Sequence, residues 1–328
     1  MAQVNPSAEK GGFWAGKRVL LTGHTGFKGS WAAIWLSRMG AEVTGLALAP
    51  DASPSLFELA NVAGRVESHL VDIRDAAAIE RVLADKSFDL VLHMAAQAIV
   101  RTSVEDPLAT FDTNVMGTAR LLQALRGQPA LQAVLTITSD KVYANNDSGR
   151  AFVESDNLGG KDPYSASKAA AEIVQSFAKS YFPDVAVATA RGGNVIGGGD
   201  FSRDRLVADI VRAQRAGEAV TLRHPEATRP WQHVLDCLAG YFRHLEALAT
   251  DPAAPRTLNF GPKPAGREVT VGELASLGVE DADHVARDVG TSALECSDAR
   301  RSEGLEERDV DLHRGGVGRS RLDQAARK

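Results

Sequence analysis

The chain has 328 residues, 44% hydrophobic and 24% charged, which fits a globular protein with one large core or one core and a smaller lobe. Its formal net charge of -5 gives no electrostatic basis for a nucleic-acid partner, and its two cysteines, Cys237 and Cys296, offer neither a disulfide framework nor a metal quartet. Residues 1–12 lack the apolar core of a leader or anchor, and no uncharged apolar run reaches the roughly 18 residues of a membrane span, so a soluble cytoplasmic protein is expected.

The first predicted elements are a strand at 18–21, glycines at 23, 26 and 29, and a helix over 30–36 with apolar residues at helical spacing. Strand, glycine turn and helix in that order make a phosphate cradle. The glycines let backbone bend and approach a pyrophosphate, and the helix N-terminus presents free N–H groups. The spacing is G-x-x-G-x-x-G rather than G-x-G-x-x-G. A second strand at 42–48 ends in Leu48, Ala49 and Pro50, with Asp51 as the first acid. Dinucleotide folds usually carry an acid near that point for the adenosine ribose, so NAD and NADP both stay open. A short helix at 55–60 and a third strand at 66–71 follow. The strand leads into Asp72 and Ile73, and the Asp72 carboxylate is placed to meet an adenine amino group.

A helix at 76–84 precedes a fourth strand at 88–93, which ends in Met94-Ala95-Ala96-Gln97. Small residues there allow a flat cofactor to lie close to backbone. The pattern then predicts a long helix over 108–125 containing Asn114 and Gly117, and a fifth strand at 133–138 ending in Ser139-Asp140-Lys141. Next come a polar surface excursion at 145–162, a helix over 163–181 opening at Tyr164, and a sixth strand at 185–191. Residues 192–200 form a glycine-rich loop, and beyond it the alternation loosens. The remaining expected elements are a helix at 206–216 beginning with Leu206, a strand at 219–222, a helix at 234–248, a strand at 257–261, and a helix start at 269–274 with Thr270 as cap. The whole reads as α/β: a Rossmann-like doubly wound parallel sheet with a smaller C-terminal substrate-binding lobe. The expected boundaries are a cofactor domain at 12–191, a lobe interleaved with the sheet at 192–276, and an anomalous charged tail at 277–328. That tail has no amphipathic period and is read as disordered or frame-altered.

Tyr164 and Lys168 lie four apart at a helix start and share one face. An ammonium beside a phenol favours phenolate, and a nicotinamide cation would favour it further, giving a base for a hydroxyl proton. The plain alternative is a capping tyrosine beside a surface lysine; the position after the fifth strand favours chemistry. Ser139 can hydrogen-bond a substrate hydroxyl. Asp140 and Lys141 offer an acid and a base but would point to opposite faces on a strand, so they need a turn to act together. Their plain alternative is a solvated strand exit. His93 has no partner at ligand spacing and reads as a core histidine, so no metal is expected. Asn194, Arg203, Arg229 and His233 are the polar candidates of the lobe, with Arg229 the best placed for a diphosphate. Phe13, Trp14, Trp31 and Trp35 read as packing residues.

Together these stretches resemble the extended short-chain dehydrogenase/reductase superfamily and, within it, the bacterial CDP-glucose 4,6-dehydratases, over about residues 12 to 275. The resemblance rests on Thr22-Gly23-His24-Thr25-Gly26-Phe27-Lys28-Gly29-Ser30, His93 to Gln97, Thr113 to Thr118, Thr138-Ser139-Asp140-Lys141, the Tyr164–Lys168 pair, the 192–200 loop and Arg229 to Val234. Lys141 stands where relatives acting on dTDP-glucose carry Glu, which points to the CDP branch. The resemblance implies tightly bound NAD held by Gly23, Thr25, Gly26, Phe27, Lys28, Gly29, Asp72, Ile73, Ala95, Ala96, Gln97, Asn114, Tyr164 and Lys168. It implies a nucleotide-sugar substrate held by Asn194, Arg203, Leu206, Arg229 and His233, and a homodimer through helices 108–125 and 163–181.

The reaction it implies has Tyr164 and Lys168 removing the 4-hydroxyl proton during C4 oxidation, with Ser139 steadying that hydroxyl. Lys141 then takes the C5 proton, Asp140 protonates the departing 6-hydroxyl, and hydride returns to C6. Lys141 must be uncharged for its step, a balance of desolvation and cofactor charge against the Asp140 carboxylate. The implied context is deoxysugar supply for O-antigen and other lipopolysaccharide. Two rivals stay open: another nucleotide-sugar dehydratase, or a UDP-sugar 4-epimerase or reductase, which would leave Asp140 and Lys141 without a task; and a catalytically inactive NAD-binding protein, supported by the unusual tail alone.

Overall fold

A computed structural model describes residues 12–145, 150–178, 180–262 and 269–276; the expected tail at 277–328 lies outside the described residues. The chain begins with β1 (Arg18–Thr22), α1 (Phe27–Arg38), β2 (Glu42–Ala47), α2 (Leu56–Leu59), β3 (Glu67–Leu70), α3 (Ala76–Leu83) and β4 (Leu90–His93). It continues through α4 (Val100–Glu105), α5 (Pro107–Phe111), a π-helical turn (Asp112–Met116), α6 (Gly117–Ala124), β5 (Ala133–Ser139), a 3-10 turn (Asp140–Val142), α7 (Pro163–Ala178) and β6 (Ala186–Gly192). The last stretch holds β7 (Val195–Ile196), α8 (Leu206–Ala216), β8 (Gln232–His233), α9 (Val234–Thr250), β9 (Thr257–Phe260) and α10 (Val271–Ser276).

Seven strands form one parallel sheet in the order β3-β2-β1-β4-β5-β6-β9. This is the doubly wound arrangement, with its order reversing between β1 and β4, so ligands are expected outside the carboxyl ends of those strands. Helices cover both faces, and the inner strands are accordingly buried along nearly their whole length rather than on alternate residues. Val19 and Leu21 turn to a core shared with α1 and α9, while Leu20 turns to the opposite core with Ile79, Leu121, Leu125 and Phe182. Trp14 and Trp35 both pack edge-on to Phe242 of α9, as packing residues should. The smaller lobe pairs β7 with β8 and gathers α8 and α10 around Ile196, Trp231 and Leu274.

Local signals in the sequence account for most boundaries. Asp75 caps α3 by accepting from the Ala78 N–H at 3.0 Å, Ser55 and Glu58 form a capping box on α2, and Thr270 and Glu273 form another on α10. Three expectations change. The long helix at 108–125 is α5, a π-helical turn and α6. Residues 100–105 form the unanticipated α4, whose side chains are largely polar and carry little periodicity. Residues 219–222 are not a strand: the stretch is exposed at Ala219 and Thr221 and has no neighbouring strand to pair with. Among the described residues no helix is long and apolar enough to cross a membrane.

Candidate active site

A cavity of about 520 Å³ opens along the carboxyl edge of the sheet, running from the β1–α1 glycine loop to the ends of β5 and β6. Its first wall is the glycine loop. Gly23 has φ +79°, and a Cβ there would come within 2.8 Å of the Ala95 backbone nitrogen; a Cβ on Gly29 would overlap the Gly23 carbonyl. Gly26 caps α1 without any side-chain hydrogen bond, so the first-turn N–H groups face the cavity as an anion site. Such a cradle fits a dinucleotide pyrophosphate. Replacing Gly29 by Ala should therefore distort the loop at a cost of roughly 1–3 kcal/mol. NAD affinity should fall more than about tenfold, as read by fluorescence titration together with the melting temperature. Unchanged affinity would remove the close approach as the reason for glycine.

Gly23, Thr25, Gly26, Phe27, Lys28, Gly29, Asp72, Ile73, Ala95, Ala96 and Gln97 all line the cavity, as do Leu48, Ala49, Pro50 and Asp51. Asp51 is thus the acid nearest the end of β2. The Asp72 carboxylate is engaged by Arg74 at 2.6 Å, which keeps its pKa below the usual carboxylate range. Asn114 stands behind the wall rather than in it. Its amide donates to the Gln97 carbonyl and the Ser167 hydroxyl and its oxygen accepts from the Gln97 N–H at 2.8 Å, so it fixes the 95–97 turn. His93 is buried between the hydroxyls of Thr22 and Thr118, and burial pulls its pKa down to about 3, leaving a neutral core histidine.

Ser139, Asp140, Lys141, Tyr164 and Lys168 line the other wall. β5 ends at Ser139, and the 3-10 turn that follows supplies the bend that Asp140 and Lys141 need. The Ser139 hydroxyl secures it by accepting from the Lys141 N–H at 3.2 Å and donating to the Asp140 carboxylate at 3.1 Å. Desolvation pushes the Asp140 carboxyl up, against the opposing pull of Ser139, Lys141, Arg229 and Lys28, so burial favours its protonated form. Lys141 stays exposed at the mouth.

The hydroxyl of Ser103 anchors α7 by accepting from the Tyr164 N–H at 3.1 Å. Desolvation raises the Tyr164 phenol, with the neighbouring Ser139 hydroxyl working the other way. The buried Lys168 donates to the Ile137 carbonyl at 3.0 Å, and its pKa falls to about 7, chiefly through desolvation and then through Lys28. Behind the turn, Arg191 forms a buried pair with Glu172 at 2.5 Å and donates to Tyr143, while Glu172 accepts from Thr138. That network ties α7 to β5 and β6.

On the substrate side Asn194 lines the cavity, but Arg203, Leu206, Arg229 and His233 are not among its lining residues. Arg203 is exposed, Leu206 packs in the small core, and His233 accepts the Leu235 N–H at the start of α9. Arg229 donates to the Thr228 carbonyl and lies within charge reach of Asp140. Asp200, Ser202 and Arg205 line the cavity instead; Asp200 belongs to the 192–200 loop of the resemblance, whereas sequence reasoning missed Ser202 and Arg205. The glycine run before them and Arg205 at the mouth of α8 were the available signals.

A dinucleotide cradle facing a serine, a tyrosine and a lysine across one cavity defines a nucleotide-cofactor enzyme of the short-chain dehydrogenase type. The chain belongs to the NAD dependent epimerase/dehydratase family, which matches residues 19–261. It is 44% identical over 282 residues to CDP-glucose 4,6-dehydratase of Salmonella typhimurium, covering 82% of this chain and 79% of that protein. It is 32% identical over 257 residues to dTDP-glucose 4,6-dehydratase of Xanthomonas campestris, covering 74% and 70%. Among solved structures, UDP-glucose 4-epimerase of Thermotoga maritima has the same fold, with a TM-score of 0.70 at 23% identity over 81% of this chain and 82% of that one.

Proposed function

We propose that this protein is an NAD-dependent CDP-glucose 4,6-dehydratase, a lyase that converts CDP-D-glucose to CDP-4-dehydro-6-deoxy-D-glucose and water. The observation that carries this reading is the 3-10 turn after β5, which sets Asp140 and Lys141 together on the cavity wall that also holds Ser139 and Tyr164. An epimerase or a simple reductase has no use for that extra acid and base. The CDP branch is supported by the 44% relative, against 32% for the dTDP-glucose enzyme.

The glycine loop and the residues of the first cavity wall would hold NAD, whose nicotinamide would supply the hydride acceptor for oxidation at C4 and the hydride donor for C6. Tyr164 takes the 4-hydroxyl proton, and Ser139 orients that hydroxyl. Lys168, fixed by its bond to the Ile137 carbonyl, supports the phenolate. Once C4 is a ketone the C5 proton is acidic, and Lys141 removes it. Asp140, whose burial favours the protonated carboxyl, gives its proton to the 6-hydroxyl as the C6–O bond breaks.

We further read the protein as a cytoplasmic homodimer, placed where nucleotide sugars and NAD are made. Val104, Leu108, Phe111, Met116, Ile173 and Phe177 are six of the nine large apolar side chains that stay exposed among the described residues, and all lie on α4 to α7. A second copy of the same face would cover them. Leu108→Glu with Ile173→Glu should convert a dimer to a monomer in light scattering, and a wild-type monomer at micromolar concentration would end that reading.

The function is tested by incubating full-length protein with CDP-glucose or dTDP-glucose, with and without added NAD, and recording product mass. Loss of one water from CDP-glucose, giving a 4-ketone and a 6-methyl group, is expected. Isomerisation without mass change would favour the epimerase, and cofactor binding without turnover the inactive reading.

A further inference from the structure

Lys28 belongs to the glycine loop by sequence, yet its side chain leaves that loop. Its ammonium lies 5.7 Å from the centroid of the Tyr241 ring and 4.0 Å from the point a Cβ on Gly192 would occupy. Gly192 ends β6, three strands across from β1, and is the register partner of Ser139 on β5. Neighbouring strands are about 4.8 Å apart. The ammonium has therefore crossed from the cofactor cradle to the floor of the catalytic wall, within charge reach of Cys237, Arg205, Asp140, Asp200 and Lys168.

Among the described residues, Lys28 makes no hydrogen bond and no ion pair; its ammonium has the Tyr241 ring and the longer-range charges of Asp140 and Asp200 for company. The Tyr241 hydroxyl, itself fully buried against Gly192, has no nitrogen or oxygen partner and only the buried Cys237 thiol beside it. Desolvation lowers the Lys28 pKa, although its side chain is only half-buried and borders the cavity. Buried polar groups without partners are rare in folded proteins and call for an explanation. Lys28 lines the cavity, so an acceptor oxygen can reach it from a ligand.

We propose that the Lys28 ammonium donates to the hexose C6 oxygen, as a second donor beside Asp140 in the elimination. The inference rests on the dehydratase reading, in which Asp140 addresses that same oxygen. Lys141 takes the C5 proton, its C–H electron pair becomes the C5–C6 double bond, and the C6–O bond breaks. The oxygen leaves as water with the proton from Asp140. Lys28 keeps its three protons and holds the departing oxygen through the step; no electron is gained or lost overall. The same contact also selects substrates that carry a 6-hydroxyl.

The test measures affinity for CDP-glucose and CDP-6-deoxyglucose by calorimetry, with NADH bound so that neither ligand turns over. Wild-type protein should prefer CDP-glucose, and Lys28→Met should lose about 10- to 100-fold in affinity for CDP-glucose while leaving CDP-6-deoxyglucose unchanged. Taking the ratio within one preparation removes the effect of any unfolded fraction. Should Lys28→Met fail to fold, Lys28→Gln reads the same ratio without the charge. Equal losses on both ligands, or none on either, overturn the assignment. Wild-type protein that binds neither ligand overturns the proposed function, and the Lys28 contact with it.

Discussion

Lys141→Met should divide the reaction into its halves, leaving C4 oxidation in place and stopping elimination. In the proposed mechanism Tyr164, Ser139 and Lys168 serve the oxidation, and none of them is held by the Lys141 side chain; the turn itself is secured through the Lys141 backbone N–H, which methionine retains. The exposed amine is thus removed with its scaffold intact. Loss of a positioned general base costs about 10²- to 10⁴-fold, so product formation should fall by that factor. Two measurements check it. Single-turnover absorbance should still show reduced nicotinamide forming on mixing with CDP-glucose, and the sugar should no longer take up deuterium at C5 from heavy water. Asp140→Asn gives the contrast, since C5 exchange should persist there while water loss fails. Retained C5 exchange in Lys141→Met would assign the base to another residue.

The fold was legible in the sequence because its main signals are local. The central strands are short, mostly apolar runs, most flanking helices have their own period or cap, and the glycine loop joins the first strand to the first helix with a close approach that leaves no room for a Cβ at Gly29. The cofactor wall was legible for the same reason. The lobe was not. Arg203 and Arg205 are both arginines two positions apart in an irregular segment, and only the path of the chain into α8 decides that Arg205 meets the cavity and Arg203 meets solvent. Asn114 shows another limit: a motif marks it as belonging to the site, but the π-helical turn aims it at the 97 backbone instead of the cavity. Lys28 is the sharpest case, since its backbone belongs to one wall and its charge to the other.

Lys168→Met should abolish most activity and at the same time make the protein more stable in acid. Lys168 is buried, and desolvation draws its pKa from the free value of 10.5 to about 7. The folded chain therefore binds this proton less readily than the unfolded chain. Below about pH 7 both states are protonated and the burial penalty is complete; it is relieved as pH rises from 7 toward 10.5, where both states are neutral. Methionine carries no such penalty, so the variant should melt above the wild type near pH 6, and the gap should narrow toward pH 9 and beyond. The lost bond to the Ile137 carbonyl offsets part of that gain by about 1–3 kcal/mol. The slope of the melting-temperature difference against pH is therefore the decisive quantity, measured by calorimetry on cofactor-free protein. Turnover should drop about 10²- to 10⁴-fold through loss of support for the Tyr164 phenolate. A melting difference that is flat with pH would mean that Lys168 keeps its ordinary ionisation in the folded chain, and its role would then be a fixed cation for Tyr164. A slope of the expected sign would make the same burial that weakens the fold the source of a lysine able to exchange a proton near neutrality, which is what relaying the 4-hydroxyl proton away from Tyr164 requires.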